Sequence, residues 1–382
     1  MQAKLNHWVH QQWQHKGVVA RLLYPLSRLT ARFIKYKQNK TYPSWNTPMP
    51  PIIIVGNILV GGVGKTPVVV SLCQQLKRFG WQPGVISRGY GAKIGPAPIA
   101  GHAPLDPQQV GDEPSMIAQL AQVPIAVHPD RRRAAEALIE FAPQIDVIIA
   151  DDGLQHYALP RAVEILVQDE RNTGNGWLLP AGPLREPPSR LDHVDWILNR
   201  QLSAPADYAD FLHQAAASTA DTVASTETPM AADSQPSEQA GPPQITMWLQ
   251  PTKLEQMASQ KKLTIKHWQD FYPYPCQAMA GIGQPERFFT MLESLGFELE
   301  RTRALRDHAP IKAADLQAFE QAPILITAKD AIKLMHSPWH MDPRFWIVHV
   351  EAHFHPGNWV EQLQNQLKEK KNKGISSRLG TC

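Results

Sequence analysis

Residues 52–70 read IIIVGNILVGGVGKTPVVV. The β-branched run from Ile52 to Val55 predicts a buried strand. Gly61, Gly62 and Gly64 predict a tight turn whose backbone N–H groups can approach an anion. Lys65 and Thr66 follow, and the apolar run from Val68 starts a helix. Strand, glycine turn, Gly-Lys-Thr and helix is the order a phosphate cradle needs. Lys65 reaches β/γ oxygens, Thr66 offers a hydroxyl to Mg²⁺, and the helix N-terminus adds its positive end. Pro67 fits, because the first turn of a helix tolerates a missing N–H. The expected nucleotide contacts are Val60, Gly61, Gly62, Val63, Gly64, Lys65, Thr66 and Pro67.

Two departures stand beside this reading. The usual spacing places a glycine five residues before Gly64, where this chain has Leu59. The variant loop of the ParA/MinD ATPases carries a signature lysine before its paired glycines, and that position is Val60. On the loop alone, a glycine-rich turn with a chance Lys-Thr stays open.

Working outward, residues 51–200 alternate strand-like and helix-like segments. Strands are expected at 52–55, 84–87, 125–128, 147–150, 164–167 and 196–199. Helices are expected at 67–79, 113–120, 131–141 and 189–193. This is the rhythm of a doubly wound parallel α/β sheet. Between 203 and 244 Ala, Ser, Thr, Gln, Asp and Pro dominate, which predicts a linker or insertion. A second, smaller α/β unit is expected over 245–367, with strands at 277–280, 324–327 and 346–350 and helices at 286–295 and 313–321. The charged run at 368–373 is expected to fray, within a basic tail over 368–382.

The chain has 382 residues, 43% of them apolar, and a net charge of +3. That leaves room for two domains and gives no ground for a nucleic-acid partner. Cys73, Cys276 and Cys382 are far apart, which argues against a disulfide framework or a structural zinc site and fits a reducing compartment. No apolar run approaches the ~20 residues of a spanning helix. Near the N-terminus, Leu22, Leu26, Leu29 and Phe33 fall on one helical face, and Arg21, Arg28, Arg32 and Lys35 on another. Trp8 and Trp13 lie upstream. A cationic amphipathic helix of this kind suits an anionic membrane surface; an ordinary helix packed on the protein's own core fits the pattern equally. Pro25 is expected to kink or divide it.

Four further constellations carry chemistry. Residues 145–152, IDVIIADD, read as a strand ending in two carboxylates, Asp151 and Asp152. Beside a phosphate loop such a position supplies a carboxylate to Mg²⁺; alone it is as often a solvated turn. Asp112 and Glu113 open a predicted helix, where acids also serve as caps. Asp307-His308 could provide a proton acceptor or be an ordinary loop pair. Arg88, in SRGYG, and Arg185, in LLPAGPLRE, could each clamp a phosphate or merely belong to a turn.

Together these motifs resemble the tetraacyldisaccharide 4′-kinases, the lipid A 4′-kinases of Gram-negative bacteria. The blocks that carry the likeness are VGNILVGGVGKTPVV at 55–69, SRGYG at 87–91, GDEP at 111–114, DDGLQH at 151–156, GNGWLLPAGPLREP at 174–187, AGIGQPERFF at 280–289, Asp307-His308 and TAKDAIK at 327–333. The resemblance implies a P-loop-type doubly wound parallel sheet with a second, smaller α/β domain and an N-terminal amphipathic helix. It divides the chain at 1–42, 43–202, 203–244, 245–367 and 368–382. It also implies ATP, Mg²⁺ and phosphoryl transfer to the 4′-hydroxyl of an acylated glucosamine disaccharide 1-phosphate, at the cytoplasmic face of the inner membrane as a peripheral protein. Asp112 and His308 would then form the proton-abstracting pair, with Thr66, Glu113 and Asp151 at the metal. Arg88, Asp152, Gln155 and Arg185 would contact phosphate or substrate. Ala328 departs from the family pattern, which has glutamate there. The rival reading is a ParA/MinD-like membrane-associated switch ATPase; a GTPase is disfavoured, since Thr327-Ala328-Lys329-Asp330 misplaces the lysine of the guanine motif.

Overall fold

The computed structural model describes residues 12–42, 49–203, 241–271, 275–306, 309, 311–317, 319, 322–335 and 337–372. Trp8, Asp307, His308, Cys382 and most of the 203–244 segment lie outside the described residues.

The first half contains helix α1 (Val18–Gln38), strand β1 (Ile52–Gly56), α2 (Lys65–Arg78), β2 (Pro83–Ser87), β3 (Ile99–Gly101), α3 (Pro107–Val110), α4 (Asp112–Ala121), β4 (Ile125–Val127), α5 (Arg131–Phe141), β5 (Val147–Asp151), β6 (Val163–Gln168), a 3₁₀ turn at Pro188–His193 and β7 (Trp196–Gln201). The second contains β8 (Gln244–Gln256), β9 (Lys262–Thr264), α6 (Ile265–Phe271), β10 (Cys276–Ala280), α7 (Pro285–Ser294), β11 (Leu299–Ala304), α8 (Ala313–Leu316), β12 (Ile324–Thr327), α9 (Ala328–Leu334), β13 (Phe345–His355) and α10 (Trp359–Asn372).

One sheet runs through both halves in the order β11-β10-β12-β13-β8-β7-β6-β1-β5-β2-β4-β3, with β9 paired to β8. β1 lies between β5 and β6, parallel to both. All five of its residues are buried, each aliphatic side chain contributing roughly 1.5–3 kcal/mol, so the strand that delivers the loop is firmly held. β8 joins the halves: its start pairs parallel with β7 and its full length antiparallel with β13.

The expected strands and helices are present, with ends shifted by a few residues and β13 extended to His355. Helix α5 and strand β12 match their expected bounds. The helix after the loop begins at Lys65, so Pro67 sits in its first turn. In the segment expected at 313–321 the described helix is Ala313–Leu316; residues 318, 320 and 321 lie outside the described ones. Three expectations are corrected. Pro25 does not divide α1, which is one helix from Val18 to Gln38. The run expected to fray from Lys368 is helical to Asn372, with the Lys370 ammonium bonded to the Ala162 carbonyl and, at 3.2 Å, to Asp195. Trp359, Val360, Leu363 and Leu367 then carry α10 back into the first half's core. Finally, β3, β8, β9, β11, α3, α6, α9 and α10 arise where no element was expected.

Helix α1 docks by its small-residue face. Ser27 Oγ donates to the Leu178 carbonyl at 2.7 Å and accepts from the Ala181 N–H at 3.0 Å. Ala20 and Ile34 are buried with it. The apolar stripe faces outward: Leu22 is 74% exposed, Leu26 50%, Leu29 58% and Phe33 56%. Arg21, Arg28, Arg32 and Lys35 are exposed as well. Among the described residues no helix is long and apolar enough to cross a membrane.

Candidate active site

The phosphate loop is fastened from outside. Arg185 N–H donates to the Ile58 carbonyl at 2.6 Å, and Val60 N–H to the Pro183 carbonyl at 2.9 Å. Leu59 bridges to Leu184 and is buried in the core. That explains the missing glycine: the position serves as an anchor to the LLPAGPLRE segment, and its side chain fills space a glycine would leave empty. Arg171 donates to the Val60 carbonyl at 3.2 Å and to that of Gly62 at 3.3 Å. Gly64 has φ +92°, in the left-handed region, and ends the loop at the start of α2.

Inside this frame Lys65 Nζ donates to Asn57 Oδ1 at 3.0 Å and lies 3.3 Å from Asp152 Oδ1. Asp152 Oδ2 is 3.1 Å from Arg185 Nη1. Burial would raise the Asp152 carboxyl, but Lys65 and Arg185 outweigh it and hold the group below the usual carboxylate range. Asp151 behaves oppositely. Burial, then the neighbouring Glu113 and Asp152 charges, push its carboxyl up to about 7 against the pull of Lys65 and Arg131. Two adjacent acids are thereby set apart, one kept as an anion by its cations and one short of positive charge.

The parallel register Val55↔Asp151 brings the acids to the loop. Ser87 Oγ donates to Asp151 Oδ2 at 3.3 Å, and buried Arg131 donates to the Asp151 main-chain carbonyl at 2.6 Å. Gln155 donates to the Asn57 carbonyl at 3.1 Å and to Glu186 at 2.6 Å. Arg88 is exposed, yet its charge, after burial and Arg131, helps push His156 down to about 4, which keeps that imidazole neutral. Asp112 and Glu113 form the first turn of α4, after Gly111 at φ +95°. Glu113 lies 3.4 Å from Lys329 Nζ of α9, so the second half reaches the site. In the motif around Ala328, Asp330 accepts from the Gly281 N–H at 3.0 Å and from Thr327 Oγ1 at 2.7 Å. That carboxylate ties β10 to α9.

The structure thus gathers Lys65, Glu113, Asp151, Asp152 and Arg185, with Gln155 on the adjoining loop residue Asn57; His308 lies outside the described residues. Sequence reading missed Asn57, Ser87, Arg131, Arg171 and Lys329. Asn57, Ser87 and Lys329 lie in quoted motifs, where for Asn57 and Ser87 a polar side chain at a strand end was the available signal; Arg131, Arg171 and Lys329 reach the site only through tertiary packing. Among the described residues no three His, Cys, Asp or Glu side chains form a metal cage. Mg²⁺ held by one or two carboxylates and by phosphates needs no such cage. The mutual repulsion of Asp151 and Glu113 suits a site completed by a cation.

A phosphate loop on a central parallel strand, with a strand-end carboxylate pair beside it, defines a P-loop nucleotide-binding protein. The family model described as tetraacyldisaccharide-1-P 4′-kinase matches residues 19–368. A tetraacyldisaccharide 4′-kinase of Bordetella petrii is 42% identical over 95% of this chain and 96% of its own length. That of Pasteurella multocida is 38% identical over 90% and 93%. The structure of LpxK from Aquifex aeolicus in complex with ATP superposes with a TM-score of 0.68 at 22% identity, covering 92% of this chain and 99% of that one. The chain belongs to the tetraacyldisaccharide-1-P 4′-kinase family.

Proposed function

We propose that the chain transfers the γ-phosphoryl group of ATP to the 4′-hydroxyl of a tetraacylated glucosamine disaccharide 1-phosphate, giving the 4′-phosphorylated lipid A precursor. The observation that carries this reading, in a member of this family, is Lys65 set between the loop and Asp152, with Asp151 and Glu113 alongside. Phosphoryl transfer needs positioning and charge neutralisation more than covalent help from the protein. Lys65 and the loop amides take the β and γ oxygens. Arg185, bound to Asp152 at 3.1 Å, joins the substrate or phosphate contacts with it. Thr66, Glu113 and Asp151 would hold Mg²⁺, which when bound neutralises charge on the same oxygens. Asp112, paired with His308, accepts the proton of the 4′-hydroxyl. Arg88 and Gln155 complete the substrate or phosphate contacts. The division into a nucleotide-binding unit at 43–202 and a second unit at 245–367 belongs to the same proposal, supported by the separate apolar clusters around β10 and β12, although α10, the start of β8 and the end of β13 pack into the first unit's core.

The test is incubation of the purified chain with γ-labelled ATP, Mg²⁺ and the detergent-dispersed disaccharide 1-phosphate. Label is expected on the lipid at the 4′ position. ATP hydrolysis with no labelled lipid would favour the ParA/MinD-like switch ATPase, which family membership disfavours.

The proposal places the protein peripherally on the cytoplasmic face of the inner membrane. The outward Leu22, Leu26, Leu29 and Phe33 stripe supports it, because burial there costs no internal packing. Leu26→Ser with Phe33→Ser is expected to weaken binding to anionic vesicles at any salt. Replacing Arg21, Arg28, Arg32 and Lys35 by Gln removes about 1 kcal/mol of attraction per residue and is expected to weaken binding mainly at low salt. Vesicle co-sedimentation measures both; binding unchanged in both variants would assign the membrane contact to another element.

A further inference from the structure

The flank of the phosphate loop away from Asp151 and Asp152 holds a cation, Arg200, that makes no hydrogen bond or ion pair among the described residues. Arg200 lies near the end of β7, two strands from β1 on the side opposite β5. A methyl group placed on Gly64 would come within 3.3 Å of Arg200 Cδ and 3.4 Å of its Nη1, so the side chain lies across the end of the loop. Its Nε is buried without a hydrogen-bond partner. The two neighbouring arginines are satisfied. Asp169 lies 2.9 Å from Arg171 Nε and 3.4 Å from Arg287 Nη1, and Arg287 also bonds Glu170. Three guanidinium groups thus meet two carboxylates, and the surplus charge is Arg200. Burial, then Arg287, lower its pKa to about 10 against the pull of the more distant Asp169 and Glu170 charges, which leaves it charged at neutral pH.

A largely desolvated guanidinium short of hydrogen bonds is unfavourable by itself and gains when an anion supplies them. The neutral base and ribose of a nucleotide bring no such charge; its phosphates do, and a planar guanidinium suits their oxygens. The transferred phosphoryl group belongs on the other flank, where Lys65, Asp152 and Arg185 converge. We propose that Arg200 is a ligand of the phosphates that stay with the nucleotide, the α and β groups common to ATP and ADP. This rests on the reading of the chain as an ATP-dependent kinase. A contact made alike to substrate and product contributes uniform binding and so acts on KM rather than kcat.

The experiment compares the full chain with Arg200→Met and Arg200→Lys by calorimetric titration of ATP, ADP, tripolyphosphate and adenosine, together with steady-state kinetics. Arg200→Met is expected to weaken ATP, ADP and tripolyphosphate by roughly 10- to 100-fold and to leave adenosine unchanged. KM for ATP should rise with kcat within about twofold, and Arg200→Lys should recover part of the loss. Without nucleotide, the Arg200→Met protein should melt no lower than the parent, because a half-buried guanidinium with an unbonded Nε has been removed. Unchanged ADP affinity overturns the assignment, as does ADP weakened with tripolyphosphate unaffected. A fall in kcat at saturating ATP with KM unchanged does so too, as does a lower melting temperature without nucleotide. A parent chain that binds neither ATP nor ADP would overturn the kinase reading as well.

Discussion

Lys65→Ala is expected to remove phosphoryl transfer, with a loss of about 10³-fold or more in kcat, while leaving the fold intact. In the proposed binding mode Lys65, the first residue of α2, neutralises the β and γ oxygens, and Arg200, on the other flank, takes only the α and β groups and does not replace it at the transferred one. Arg185 is committed to Asp152 from the other side at 3.1 Å, and Arg131 is directed at the Asp151 main chain. The structural cost is small: Asn57 loses one hydrogen bond but still donates to the Leu59 carbonyl, and Asp152 keeps Arg185. Thermal unfolding should therefore change little, and the labelled-ATP assay should fall to background. Activity within tenfold of the parent would mean that the loop holds something other than the transferred group.

Much of this was legible in the sequence, for reasons that differ from element to element. Strand β1, the loop and α2 were readable because their order is a local chemical requirement. Helix α5 declares itself by an Asp130 cap and its apolar spacing. Strand β11, LERTRA, has no apolar alternation to read, because it is an exposed edge strand. Strand β8 lies between β7, parallel to it, and β13, antiparallel to it, and no local pattern states that. Helix α10 did carry a buried stripe at Trp359, Val360, Leu363 and Leu367; the lysines that follow it masked the period. At the site, Lys65, Asp151 and Asp152 were readable as motif members. Arg131, Arg200 and Lys329 were not, because what brings each to the loop is strand order and the packing of α9 on α4. The outward apolar stripe of α1 was readable as amphipathic, but which face docks became clear only from Ser27 against Leu178 and Ala181.

Asp151→Asn is expected to trade activity for stability in a pH-dependent way. The ordinary carboxyl titrates near 4; in the fold, burial and the adjacent Glu113 and Asp152 raise it to about 7. The folded chain therefore binds this proton more tightly than the unfolded chain. The stability it contributes is fully present below the ordinary value and is lost as pH rises through about 7. Asparagine has no charge to bury and can still accept from Ser87 Oγ, while the Arg131 anchor uses the main-chain carbonyl and survives. With divalent metal removed by chelator, the Asn variant should melt several degrees above the parent at pH 8, and the two should converge near pH 4. With Mg²⁺ and ATP the order of merit reverses: the variant should lose about 10²- to 10³-fold in kcat, because the carboxylate that a cation would neutralise is gone. Melting curves over pH 4–8 with chelator, together with rates at saturating Mg²⁺, measure both halves. A variant less stable than the parent at pH 8 would show that the Asp151 charge is already compensated inside the protein, by Lys65 and Arg131, and that the strand-end carboxylate does not call for a cation.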